Sequence, residues 1–73
     1  MKTIKDLQKI IDSYDNKMMC LIATDADGGW LIAASLERKN KSDKIITKIR
    51  GNDLEEMIDK TCKNLEEYEK GHK

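Results

Sequence analysis

The stretch ATDADGGWLI, residues 23–32, constrains this chain more than any other. It sets Asp25, Asp27, Gly28 and Gly29 between one apolar run, KMMCLIAT, and a second, WLIAASLE. Aspartate followed by glycine between apolar runs signals a β-hairpin, because a tight turn needs backbone conformations that glycine adopts freely. A two-residue turn at Asp27-Gly28 pairs Thr24 with Leu31 and Ile22 with Ala33. In that register one sheet face collects Met19, Leu21, Ala23, Trp30, Ile32, Ala34 and Leu36, and this face is expected to be the core. The opposite face collects Met18, Cys20, Ile22, Thr24, Leu31, Ala33, Ser35 and Glu37. A slip of one residue exchanges the faces of a strand, so the turn decides what the molecule shows to solvent.

The other elements follow from periodicity. Ile4, Leu7, Ile11 and Tyr14 recur at spacings of three and four, one face of a helix over about 3–14. Thr3 and Asp6 fit a capping pattern, and Asn16 closes the segment with a left-handed turn. After a polar loop, RKNKS, the stretch KIITKIR is rich in β-branched residues and reads as a third strand. Ile45 and Ile49 are expected in the core and Ile46 on the other face. Leu54, Met57, Ile58, Thr61, Cys62, Leu65 and Tyr68 then mark one stripe of a long helix, with Asn52 as its cap and Gly71 at its end. The order is αβββα: an α+β fold, a three-stranded antiparallel meander with two helices packed on one face. Residues 1–73 make one domain, since no linker, repeat or proline interrupts them.

Two short helices cover one side of a sheet but not both. The outward face, with Ile22, Leu31 and Ala33, is more apolar than a small monomer usually leaves wet. It is therefore expected to meet a protein partner or a second copy in a homodimer. Charge supplies another candidate surface. Net charge is zero, yet residues 37–50 hold six basic groups against two acidic, and residues 53–69 seven acidic against two basic. An acidic helix face carrying Glu55, Glu56, Asp59, Glu66 and Glu67 would attract a basic protein surface.

Catalytic chemistry finds no foothold in the sequence. Asp25-x-Asp27-Gly28 begins like a calcium loop, but its fifth and twelfth places hold Gly29 and Leu36, where oxygen ligands are required. His72, the only histidine, lies in the tail, and Cys20 and Cys62 lack a neighbouring base or a CxxC spacing. The thiols read as packed small hydrophobes in a reducing compartment. The expectation is a protein that is not an enzyme and takes no metal or cofactor. The charged start and the lack of a long apolar run point to a soluble, cytoplasmic protein without a membrane segment. The same element order occurs in double-stranded-RNA-binding domains, but those place lysines where Asp53, Glu55 and Glu56 stand here. That reversal argues against direct nucleic-acid contact, although the basic loop at 38–50 could touch a backbone.

Two resemblances bear on function. Asp25, Asp27, Gly28, Gly29 and Trp30, followed by Gly51, Leu54, Glu55 and Glu56, resemble the motifs of the HicB-type antitoxin domain over about residues 18–67. This implies a regulatory, antitoxin-like module, though a helix precedes the matching region and the family's proline-containing stretch is missing. In size, element order and acidic surface the chain is also similar to small phage-encoded anti-CRISPR proteins. A lysine- and isoleucine-rich, proline-free composition fits a low-GC bacterium or its phage. That likeness implies an inhibitor of a nucleic-acid-handling host defence protein, working from the host cytoplasm by occupying the partner's basic site. The alternatives that stand beside it are the antitoxin-like module and a small dimeric accessory protein.

Overall fold

The computed structural model describes residues 1–14 and 17–71. The left-handed turn expected at Asn16 and the position of His72 lie outside the described residues. Helix α1 spans Ile4–Asp12, strand β1 Met18–Thr24, β2 Trp30–Leu36, β3 Lys44–Gly51, and helix α2 Leu54–Gly71. The sheet runs β1-β2-β3 with both pairs antiparallel, and the two helices pack on one face of it. The shortest dimension is 18 Å, which is the thickness of one sheet and one helix layer.

Each helix begins at a carboxylate. Asp6 accepts the Thr3 amide at 2.7 Å and the Thr3 hydroxyl at 3.0 Å, closing the first turn of α1. At α2 the cap is Asp53 and not Asn52. The Asp53 carbonyl accepts the Met57 amide at 3.0 Å, and its carboxylate accepts the Glu56 amide at 3.3 Å. A charged acceptor complements the positive end of the helix dipole better than a neutral amide side chain.

The core gathers Leu7 from α1, Met18, Ile32 and Ala34 from the sheet, and Met57, Ile58, Cys62 and Leu65 from α2. Two polar side chains are buried with them, each satisfied. Thr61 donates its hydroxyl to the Met57 carbonyl at 2.8 Å, and the Thr47 hydroxyl accepts from the Asn64 amide at 3.1 Å. The second bond fixes α2 over β3, while Tyr14 reaches the Leu65 carbonyl at 3.4 Å and ties the end of α1 to α2.

The register differs from the sequence expectation by one residue, and the turn is the reason. The Gly28 amide bonds the Asp25 carbonyl at 3.0 Å, the Asp25 amide bonds the Gly29 carbonyl at 2.8 Å, and Gly28 alone in the hairpin has positive φ, +86°. This is a three-residue loop, 26–28, a β-turn followed by a left-handed glycine, in place of a two-residue turn. Met18 therefore faces Leu36, Cys20 faces Ala34, and Ile22 faces Ile32. Met18, Cys20 and Ile22 point to the core, and Met19, Leu21 and Ala23 point away. The β2 assignments stand: Trp30, Ile32, Ala34 and Leu36 face the helices.

A bulge between Ala34 and Ser35 adds a second shift on β3. Ile45 pairs with Ser35 and lies outward, 62% exposed, whereas Ile46 packs against the core. One extra residue on the bulged strand exchanges the faces of its neighbours. Ile49, beyond the bulge, reaches the core as expected.

Candidate functional site

The hairpin turn, the bulge and the single helix layer together define a surface. On the face away from the helices, β1 presents Met19, Leu21 and Ala23, β2 presents Leu31 and Ala33, and β3 presents Ile45. Met19 is 71% exposed and Leu21 55%. These are large values for apolar side chains in the middle of strands. Lys48 pairs with Ala33 and Arg50 with Leu31, so the β3 edge of this face is basic.

Of the residues singled out from the sequence, Leu31 and Ala33 lie on this face. Ile22 does not: it is half-buried among core residues, because the three-residue loop turns its side chain toward the helices. Met19, Leu21, Ala23 and Ile45 belong to the surface and were expected in the core. The turn itself held the missing signal, since aspartate at the first position and glycine at the fourth are preferred in the β-turn that Asp25–Gly28 forms. For Ile45 the chain carries no comparable mark, because a bulge has no obligatory residue here.

The acidic helix divides into two sets. Glu55, Glu56 and Glu67 are exposed, and among the described residues none of them forms an ion pair. Asp59 and Glu66 are already engaged within the molecule. Asp59 accepts the Lys2 backbone amide at 2.7 Å and pairs with Lys63 at 3.1 Å, and Glu66 pairs with Lys2 at 3.4 Å. The amide of Lys2 first, and then Lys63, hold the Asp59 carboxyl below the usual carboxylate range. Lys60, Lys63 and Lys70 are exposed on the same helix. The five carboxylates thus do not act as one uninterrupted anionic stripe; two of them fasten the N-terminal segment to α2.

The remaining candidates for chemistry are dispersed. Asp27 is exposed at the hairpin tip and Asp25 half-buried beside it. Cys62 is buried and Cys20 half-buried, both as free thiols, and burial pushes both thiols up, away from the thiolate form a nucleophile needs. Among the described residues no cluster of histidine, cysteine and carboxylate groups could hold a metal ion, and no helix is long and apolar enough to cross a membrane. The basic loop is braced by the Arg38 guanidinium, which donates to the Ser42 carbonyl at 2.8 Å, and turns at Asn40 with φ of 62°.

Compared with known proteins, the chain matches no family model, no curated protein and no solved structure.

Proposed function

We propose that this chain is a small, non-catalytic protein-binding module and that its open sheet face is the principal binding surface. The observation that carries the reading is the contiguous apolar face of Met19, Leu21, Ala23, Leu31, Ala33 and Ile45, left uncovered by a single layer of helices. An apolar patch of this kind, rimmed by charged residues, is what an interaction surface offers and what an isolated small domain avoids. The finer reading is an inhibitor of a nucleic-acid-handling defence protein, phage-encoded and acting in the host cytoplasm. Its support is the free set Glu55, Glu56 and Glu67, which suits a basic surface on such a partner. The engagement of Asp59 and Glu66 inside the molecule makes the helix the weaker of the two surfaces.

A second reading, an antitoxin-like regulatory module, draws on a different observation. Gly29 of the hairpin turn packs so closely on Gly51 and Asn52 that an added Cβ would lie 2.7 Å from the Gly51 carbonyl oxygen. The two halves of the resembling motif are therefore neighbours in space.

The test is affinity capture from a host extract with three baits: the native chain, Leu21→Asp, and the triple variant E55K/E56K/E67K. The native bait is expected to retain a partner that Leu21→Asp loses and the triple variant retains in reduced amount. Equal capture by all three baits would sink the proposal.

A further inference from the structure

We infer that the free edge of β1 receives an extended segment of another protein, added to the sheet as a fourth strand beside α1. This site is additional to the open face and does not depend on it. The order β1-β2-β3 gives the sheet two edges, and the two are unlike. β3 carries Lys44, Lys48 and Arg50 and its pairing is bulged, devices that discourage a further strand from joining. β1, MMCLIAT, has no charge, no proline and no glycine, and it pairs without a bulge from Met18 to Thr24.

The ladder fixes which backbone groups of β1 are free. The Glu37 amide bonds the Lys17 carbonyl at 2.7 Å, and the Asp25 amide bonds the Gly29 carbonyl at 2.8 Å, so residues 17 and 25 both turn toward β2. An antiparallel ladder repeats every second residue. Met19, Leu21 and Ala23 therefore also bond to β2, while Met18, Cys20, Ile22 and Thr24 direct their N–H and C=O groups to the open edge. Among the described residues no other hydrogen bond takes up these groups. The side chains of the same residues point to the helix side, where Cys20 and Ile22 line a groove with Ile4, Gln8 and Ile11 of α1. Ile4 keeps 51% of its surface exposed. A strand added to β1 sends every second side chain into this groove while its backbone answers the free donors and acceptors.

The position of α1 decides what kind of chain fits. Among the described residues α1 packs on α2 and, of the three strands, on β1 alone, so it stands over the edge strand. Two copies joined antiparallel through β1 would carry their helices on the same side of one continuous sheet. Their α1 helices would then lie about 5 Å apart, one strand spacing, where packed helices need about 8–10 Å. An extended segment with no helix above it meets no such obstacle. Charge sets its direction. Lys17 and Asp25 lie at opposite ends of the edge, on the face away from the helices, and neither forms an ion pair among the described residues. An antiparallel segment complements them with a basic residue first, an acidic residue last, and apolar residues at the alternate positions that enter the groove.

The probe is a capped peptide as long as residues 17–25, with lysine first, glutamate last, and valine alternating with threonine between them so that valine faces the groove. In one form the threonine amides are N-methylated, which blocks stacking of the peptide on itself and leaves intact the edge that meets β1. In a second form the valine amides are N-methylated, which removes the donors that meet β1. Each is titrated into the native protein, with hydrogen exchange of the protein amides as the readout. The first form is expected to bind saturably and to slow exchange at Cys20, Ile22 and Thr24, while Leu21 and Ala23 are protected from the outset. The second form is expected to bind at least about ten-fold more weakly. Ile4→Glu, at an exposed position, is expected to weaken the first form with little change in melting temperature. Equal binding of the two forms, no binding of the first, or unchanged exchange at Cys20 and Ile22 on saturation would overturn the inference. Protection of these amides that grows with protein concentration alone would assign the edge to a second copy and overturn the choice of occupant.

Discussion

At the scale of residues, Gly28 and Gly29 have different reasons for being glycine. Gly28 has φ of +86° with nothing near its missing Cβ, so a side chain there is strained but not obstructed. Gly29 faces the opposite problem, with the Gly51 carbonyl oxygen 2.7 Å and the Asn52 Oδ1 2.8 Å from where a Cβ would stand. Gly28→Ala is expected to cost about 1 kcal/mol, and Gly28→Asn less, because asparagine tolerates the left-handed region. Gly29→Ala must push apart the hairpin and the entry to α2, and is expected to cost about 1–3 kcal/mol. Urea denaturation of the three variants checks the order, and a Gly29→Ala protein more stable than Gly28→Ala would contradict it.

Two carboxylates carry the residue-scale response to pH. The Thr3 amide and hydroxyl hold Asp6 below the usual carboxylate range, and the Lys2 amide and Lys63 do the same for Asp59. A carboxyl whose folded pKa is depressed stabilises the fold above its unfolded value of about 3.9, and that contribution disappears as pH falls through the folded value. Melting temperature is therefore expected to decline below about pH 4, and Asp59→Asn to flatten the decline. Both groups are half-buried at the surface, where solvent still screens them, and this keeps the effect small. A decline of equal slope in Asp59→Asn and the native chain would remove Asp59 from the account.

At the scale of elements, the helices, the strands and the facing of β2 were legible in the sequence, while the facing of β1 and of the start of β3 was not. The stripe from Leu54 to Tyr68 and the spacing of Ile4, Leu7 and Ile11 place both helices, because helical periodicity repeats often enough to average out local ambiguity. Strand facing has period two and rests on a single turn. The stretch DADGG accommodates either a two-residue or a three-residue loop, and the choice reverses all of β1. Since β1 is apolar at every position from Met18 to Ala23, its own composition offers no vote. The same reversal moved Ile22 from the candidate surface into the core and brought Leu21 out. Substitution distinguishes the two registers sharply. Leu21→Asp is expected to fold with a change within about 0.5 kcal/mol, as for an exposed position, and Ile22→Asp to cost several kcal/mol by burying a carboxylate. Circular dichroism melts read the difference, and the opposite ranking would restore the two-residue turn.

At the scale of the whole molecule, a chain of 73 residues spends its helices on one side of its sheet. Burial is concentrated where α2 lies over β2 and β3, while the opposite face keeps apolar side chains in contact with water. The candidate surface was legible in kind, since two short helices cannot cover two faces, but its membership depended on the loop and the bulge. The acidic helix was legible in composition alone. Only the folded chain shows that Asp59 and Glu66 are held by Lys2 and Lys63.

Methionine oxidation footprinting reads the state of that face directly, because Met19 stands on it at 71% exposure and Met1 stands elsewhere at 84%. In dilute protein both side chains are expected to oxidise readily. When the face is occupied, in concentrated protein or in host extract, Met19 is expected to be protected while Met1 continues to react. Equal oxidation of Met19 and Met1 under every one of these conditions would contradict the claim that the open sheet face is where this protein binds.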